Sequence, residues 1–102
     1  MKTARNGTME ETIRTAIAER RLLVFRYSEM QRIVQPHILG VDRGGHLSLS
    51  AWQIAGTGVG WRLFHLDHVA TLALSEKRFR GSAQGYNPDD PSFVRVLARL
   101  EQ

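Results

Sequence analysis

One arginine stands in the middle of an otherwise apolar run, Gly60-Trp61-Arg62-Leu63-Phe64-His65-Leu66-Asp67-His68-Val69. Leu63, Phe64 and Leu66 offer apolar side chains to both faces of a strand, so the run is expected to be buried on both sides. A guanidinium there is costly unless it is paired or opens on a pocket. Arg62 therefore needs an acid, with Asp67 or Glu29 the candidates, or an anionic ligand. Its planar fork suits a phosphate held by two hydrogen bonds.

Other side chains that could do chemistry are weaker signals. Tyr27 could stack on a base or donate its hydroxyl, and could equally be a tyrosine at the edge of the core. His37, His46, His65 and His68 have no i, i+4 helical pairing among them, and the chain has no cysteine, so no metal site is expected. His37 and His46 fit better as pocket walls or anion contacts. Ser48 and Ser50 alternate with the core side of a strand and share a face with His46 and Trp52. They lack the positioned base and oxyanion hole of a hydrolase, so no enzyme activity is expected. Gly56-Thr57-Gly58-Val59-Gly60 lacks the Gly-Lys-Ser/Thr ending of a phosphate loop and reads as a hairpin loop. Lys77, Arg78 and Arg80 form a basic run that could track a nucleic-acid backbone or be a solvated end. Trp61 reads as core, and Phe79 as core, stacking surface or dimer contact.

The elements that must position these residues fit one small domain. The chain has 102 residues, 42% hydrophobic and 24% charged, with a net charge of +4 that suits anionic partners. It has no run long and apolar enough to span a membrane and no signal-peptide core at its start, so a cytoplasmic location is expected. Residues 1–8 read as a disordered start. Thr8 and Glu11 have capping-box spacing, and Met9, Ile13, Ala16 and Ile17 recur on one face, which predicts a helix over 9–20. Strands follow over 22–27, 32–41, 46–54, 61–66 and 69–75, with turns at 28–30 and 42–45. Pro36 lacks an amide donor and belongs at an edge or a bulge. Five short strands with tight turns suggest a bent antiparallel sheet or a partly closed barrel in an α+β fold. Residues 82–90 read as a polar linker. Asp90-Pro91 then looks like an N-cap and first helical residue, and Phe93, Val96, Leu97 and Leu100 make the apolar stripe of a C-terminal helix over 91–101.

Taken in order, several of these pieces resemble the WYL domain family. They are Ile13-Arg14-Thr15-Ala16-Ile17, then Val24-Phe25-Arg26-Tyr27, then Arg32-Ile33-Val34-Gln35-Pro36-His37-Ile38-Leu39, then Trp61 to Val69. The likeness covers about residues 10–80. It departs at the Trp-Tyr-Leu triplet that names the family, where this chain has Leu47-Ser48-Leu49, with Trp52 three residues on. The resemblance implies a five-stranded barrel of Sm/SH3-like type in a bacterial regulator. It also implies a sensor module whose basic pocket takes a nucleotide or a nucleic-acid strand. Such domains usually follow a winged-helix domain or accompany defence systems. Only about ten residues precede the first helix here, too few for that domain, so a separate DNA-binding regulator is an expected partner.

The sequence thus predicts a non-enzymatic module in transcriptional or defence-system regulation, with no cofactor. Its anionic ligand would be held by Arg62, Arg32, His37, Tyr27, Trp52, His46 and Ser48. Arg32 would stand beside Arg62 on a neighbouring strand, and Lys77, Arg78 and Arg80 would meet a nucleic-acid backbone. The competing expectation is an adaptor or homodimer joined through Phe93, Val96, Leu97 and Leu100 of the last helix.

Overall fold

A computed structural model describes residues 6–101. The disordered start was expected over 1–8; residues 1–5 lie outside the described residues, and Asn6 to Thr8 are already helical. Helix α1 spans Asn6–Glu19, so Thr8 lies inside the helix instead of capping it. Ile13, Ala16 and Ile17 are buried as their spacing requires, and Arg14 pairs with Glu10 at 3.0 Å on the outer side. Burying each isoleucine contributes about 1.5–3 kcal/mol. The helix stops at Arg20, which takes a left-handed φ of 56° and turns the chain directly into the first strand.

Six antiparallel strands follow: β1 Arg21–Tyr27, β2 Met30–Asp42, β3 Leu47–Ala55, β4 Gly60–His65, β5 Ala70–Arg78 and β6 Phe93–Arg99. A 3₁₀ turn, Leu66–His68, links β4 to β5. The sheet order is β4-β3-β2-β1-β5, with β6 also on β2. The expected barrel is not closed, because β4 and β5 stand at opposite ends of that order and do not pair. Strand β4 is therefore an edge, and Leu63 is 41% exposed, so the run around Arg62 is buried on one face only.

Strand β2 carries the architecture. Its first part, through Val34, pairs with β1; its last part, Ile38 to Asp42, pairs with β6 along the same flank. Pro36 falls between these two partners, at a bulge in the β2–β3 ladder, as its missing amide donor demands. The core lies between α1 and the concave side of the sheet. Phe25, Leu39, Leu49, Phe64 and Leu66 fill it together with the helix.

The C-terminal helix is the main correction. Residues 93–99 form a strand, and the segment before them straps the sheet instead of linking away from it. Asp90 does accept a bond from the Ser92 amide at 2.8 Å, but in a tight turn that leads into β6. The open edge of Ile38–Asp42 needs partners for its buried main-chain groups, and β-branched Val94 and Val96 suit a strand. Two bulges in the β2–β6 ladder reset the phase. Phe93 and Leu100 thereby turn inward while Val96 stays exposed, which is how a strand came to carry a helix-like stripe.

Candidate ligand-binding site

The β3–β4 hairpin gathers two of the expected arginines. Strand pairing sets Ala51 opposite Arg62 and Gln53 opposite Gly60. Gly56 has a φ of 140° and lies so close to Arg32 and the Gln31 carbonyl that a Cβ there would collide. The loop thus folds back over the sheet onto Arg32.

Arg32 is only 6% exposed and has no carboxylate partner among the described residues. Its Nη1 donates to Gln53 Oε1 at 3.1 Å and to Thr57 Oγ1 at 3.4 Å, and its Nη2 to the Tyr27 carbonyl at 2.9 Å. The guanidinium lies over the rings of Tyr27 and Phe64, with 5.5 and 5.8 Å to their centroids. Its Nε is buried without a hydrogen-bond partner. The ring faces and neutral acceptors offset part of the cost of burying this charge. Tyr27 is itself fixed, its hydroxyl accepting from the His65 amide at 3.1 Å.

Arg62 is paired with neither Asp67 nor Glu29. Its Nη1 donates to the Trp61 carbonyl at 3.0 Å, and its Nη2 to the carbonyls of Gly58 and Thr57 at 3.1 and 3.4 Å. Asp67 is exposed in the 3₁₀ turn, and the Glu29 carbonyl receives Arg26. Arg62 lines a pocket of about 270 Å³ with Ile38, Ser50, Trp61, Leu63 and Tyr86. Asp90 and Ser92 also line it. Trp61 stacks near Tyr86 with centroids 6.2 Å apart, and Trp52 meets Trp61 edge-on at 5.5 Å.

His37 lies beneath these aromatics. Its Nε2 accepts from the Ala83 amide at 3.0 Å, which fixes the proton on Nδ1, and Nδ1 donates to the Gln35 carbonyl at 2.8 Å. Burial pushes its pKa down, against the raising effect of the Gln35 carbonyl. Both ring nitrogens are occupied, so His37 anchors the strap that forms the pocket wall. Trp61 Nε1 adds a second anchor, donating to the Gln84 carbonyl at 2.9 Å.

His46 and Ser48 lie elsewhere. Ser48 pairs with His65 at one end of the hairpin and Trp52 with Trp61 near the other, four residues apart or about 13 Å along a strand. Asp42 joins them, its Oδ1 accepting from the amides of Gly44 and His46 and its Oδ2 from the Ser48 hydroxyl, each at 2.9 Å. The His46 amide bond, with help from Ser48 and Gly44, outweighs burial and holds the Asp42 carboxyl down to about 2.

Arg78 and Arg80 line a separate groove of about 1000 Å³ between the end of α1, the end of β5 and β6. Arg14, Arg20 and Arg99 join them there, with Glu19 and Glu101 the acids present. Lys77 is exposed outside that lining. The added arginines come from distant segments, and no local spacing in the sequence marks them. Tyr86, too, was hidden in what read as a linker.

One helix against a six-stranded antiparallel sheet, with arginines gathered at a hairpin, makes this a small α+β domain. The family model for the WYL domain matches residues 9–74, well over half the chain, and the chain belongs to that family of regulatory ligand-sensing domains. No curated protein and no solved structure matches it. At the position of the family's aromatic triplet, Leu49 is buried in the core and Ser48 serves Asp42.

Proposed function

We propose that this chain is a non-enzymatic regulatory sensor that binds an anionic ligand, a nucleotide or a short single strand of nucleic acid, in transcriptional or defence-system control. The observation that carries the reading is the state of Arg62. It bonds only main-chain carbonyls, its guanidinium lying over Gly58 and Gly60, and its strand position borders a pocket walled by Trp61 and Tyr86. A phosphate competes well with neutral carbonyls for a guanidinium, and the indole and phenol offer a face to a base. Arg32, Tyr27 and His37 act behind this site as supports, and Trp52 extends its aromatic wall. The groove arginines, Arg78 and Arg80 among them, offer a path for a longer strand.

Titration with labelled single-stranded DNA and RNA at low and moderate salt tests this reading, wild type beside Arg62→Ala. Salt-sensitive binding that the variant loses is the expected result. Binding that neither salt nor Arg62→Ala weakens would overturn it.

A second reading rests on β6, whose outer edge has no strand partner among the described residues and whose Val94 and Val96 are 61% and 38% exposed. Such an edge suits pairing with a second copy. The dimer surface would then be a strand edge, with Phe93 and Leu100 buried within each chain.

A further inference from the structure

Asp42, His46 and His65 come together where the β2–β3 turn meets the end of β4. The register that sets Ser48 opposite His65 brings two imidazoles 19 positions apart into a parallel stack, 4.3 Å between centroids and 11° between planes. Both turn a nitrogen to one carboxylate: His46 Nδ1 lies 3.4 Å from Asp42 Oδ1, and His65 Nε2 lies 3.3 Å from Oδ2. These separations are longer than a well-formed hydrogen bond. Each is close to the spacing of two donors on one tetrahedral ion, about 3.3 Å for bonds of about 2.0–2.1 Å, but the two run to different carboxylate oxygens, so an imidazole must shift for both to share an ion with one of them.

We propose that Asp42, His46 and His65 form a binding site for one divalent transition-metal ion of the zinc class. All three donor atoms lie within 4.8 Å of one another. An ion must lie in the plane of each ligating imidazole, so binding requires His46, with half of its side chain exposed, to rotate out of the parallel stack on His65. The carboxylate is already oriented by the Gly44 and His46 amides and the Ser48 hydroxyl, the outer support that metal-bound carboxylates require. Two imidazoles and one carboxylate select zinc, copper, nickel or cobalt over calcium and magnesium, which prefer all-oxygen sites. The exposed side of His46 and His65 leaves the fourth position to water. A bound ion would clip the β2–β3 turn to the end of β4, a link the main chain does not make. This site is independent of Arg62 and of the anion reading.

The test uses the full chain without an affinity tag, stripped by a chelator and titrated with Zn²⁺ alone, then with Co²⁺. One saturable equivalent per chain is expected, with the visible absorption of four-coordinate cobalt. His46→Gln and His65→Gln should each weaken binding ~10-fold or more, and Ser48→Ala by ~10-fold through the orientation of Asp42. His68→Gln is the control and should bind as wild type, since its ring lies 6.3 Å from that of His65 and outside the donor set. These variants change side chains without removing the Asp42 turn, and circular dichroism checks each fold. No saturable binding, or binding that survives both His46→Gln and His65→Gln, would overturn the site.

Discussion

Arg32 and Arg62 grip one residue from two strands: Arg32 reaches the Thr57 hydroxyl and Arg62 the Thr57 carbonyl, each at 3.4 Å. Both bonds are long, and the other bonds of the two arginines differ in kind. Arg32 is buried and also serves Gln53 and Tyr27, whereas Arg62 is part-exposed on an edge strand. Their substitutions should therefore separate. Arg32→Ala leaves buried acceptors unpaired and rings unpacked, at a cost of about 2–4 kcal/mol. Arg62→Ala should cost less than about 1 kcal/mol while removing anion binding. Urea unfolding of both variants checks the first difference, and the titration above checks the second.

The pH dependence follows from His37. Its pKa in the fold lies below the ordinary 6.5, because burial disfavours the imidazolium. Between the two values the unfolded chain takes up a proton that the folded one refuses, so stability rises with pH there. This contribution is complete above about pH 6.5 and is lost as pH falls toward the folded value. Urea midpoints measured from about pH 8 to 5 should fall on the acid side. In His37→Gln, which cannot titrate, that part of the slope should vanish; an unchanged slope would show that His37 is not its source.

The β1–β2 turn can be improved. Ser28 and Glu29 both take left-handed φ values, 52° and 65°, between the paired Tyr27 and Met30. Two-residue turns of this kind prefer Asn-Gly. The double change Ser28→Asn with Glu29→Gly should add about 1 kcal/mol, read as a higher melting temperature.

Gly40 marks where β6 presses on β2. A Cβ there would collide with the Arg95 carbonyl and the Phe93 ring. Gly40→Ala should cost about 1–3 kcal/mol and speed amide exchange across Ile38–Asp42. Equal protection in variant and wild type would mean that β6 does not sit as tightly as described.

The hairpins and the helix face were legible because their signals are local. Pro36 announced its bulge, the glycines announced the β3–β4 loop, and Ile13, Ala16 and Ile17 announced the buried side of α1. The nature of residues 93–99 was not legible. Their apolar spacing fits 3.6 residues per turn as well as a twice-bulged strand, and only the open flank of β2 decides between them. The surroundings of Arg62 were half legible. Its need for a partner could be read, but the carbonyls that meet it belong to a loop whose path depends on Arg32 and Gln53. The meeting of His46 with His65 depends on strand register, which individual spacings do not reveal.

The shared flank of β2 also sets an order of assembly. Its first half is matched at once by β1, already made, across a two-residue turn. Its second half waits for β6, more than 50 residues further along the chain. At ~5–20 residues per second, a ribosome leaves that half of β2 without its second neighbour for roughly 3–10 s. During that interval the nascent chain carries an open strand edge beside a growing apolar face, the kind of edge that chaperones cover and other chains can capture.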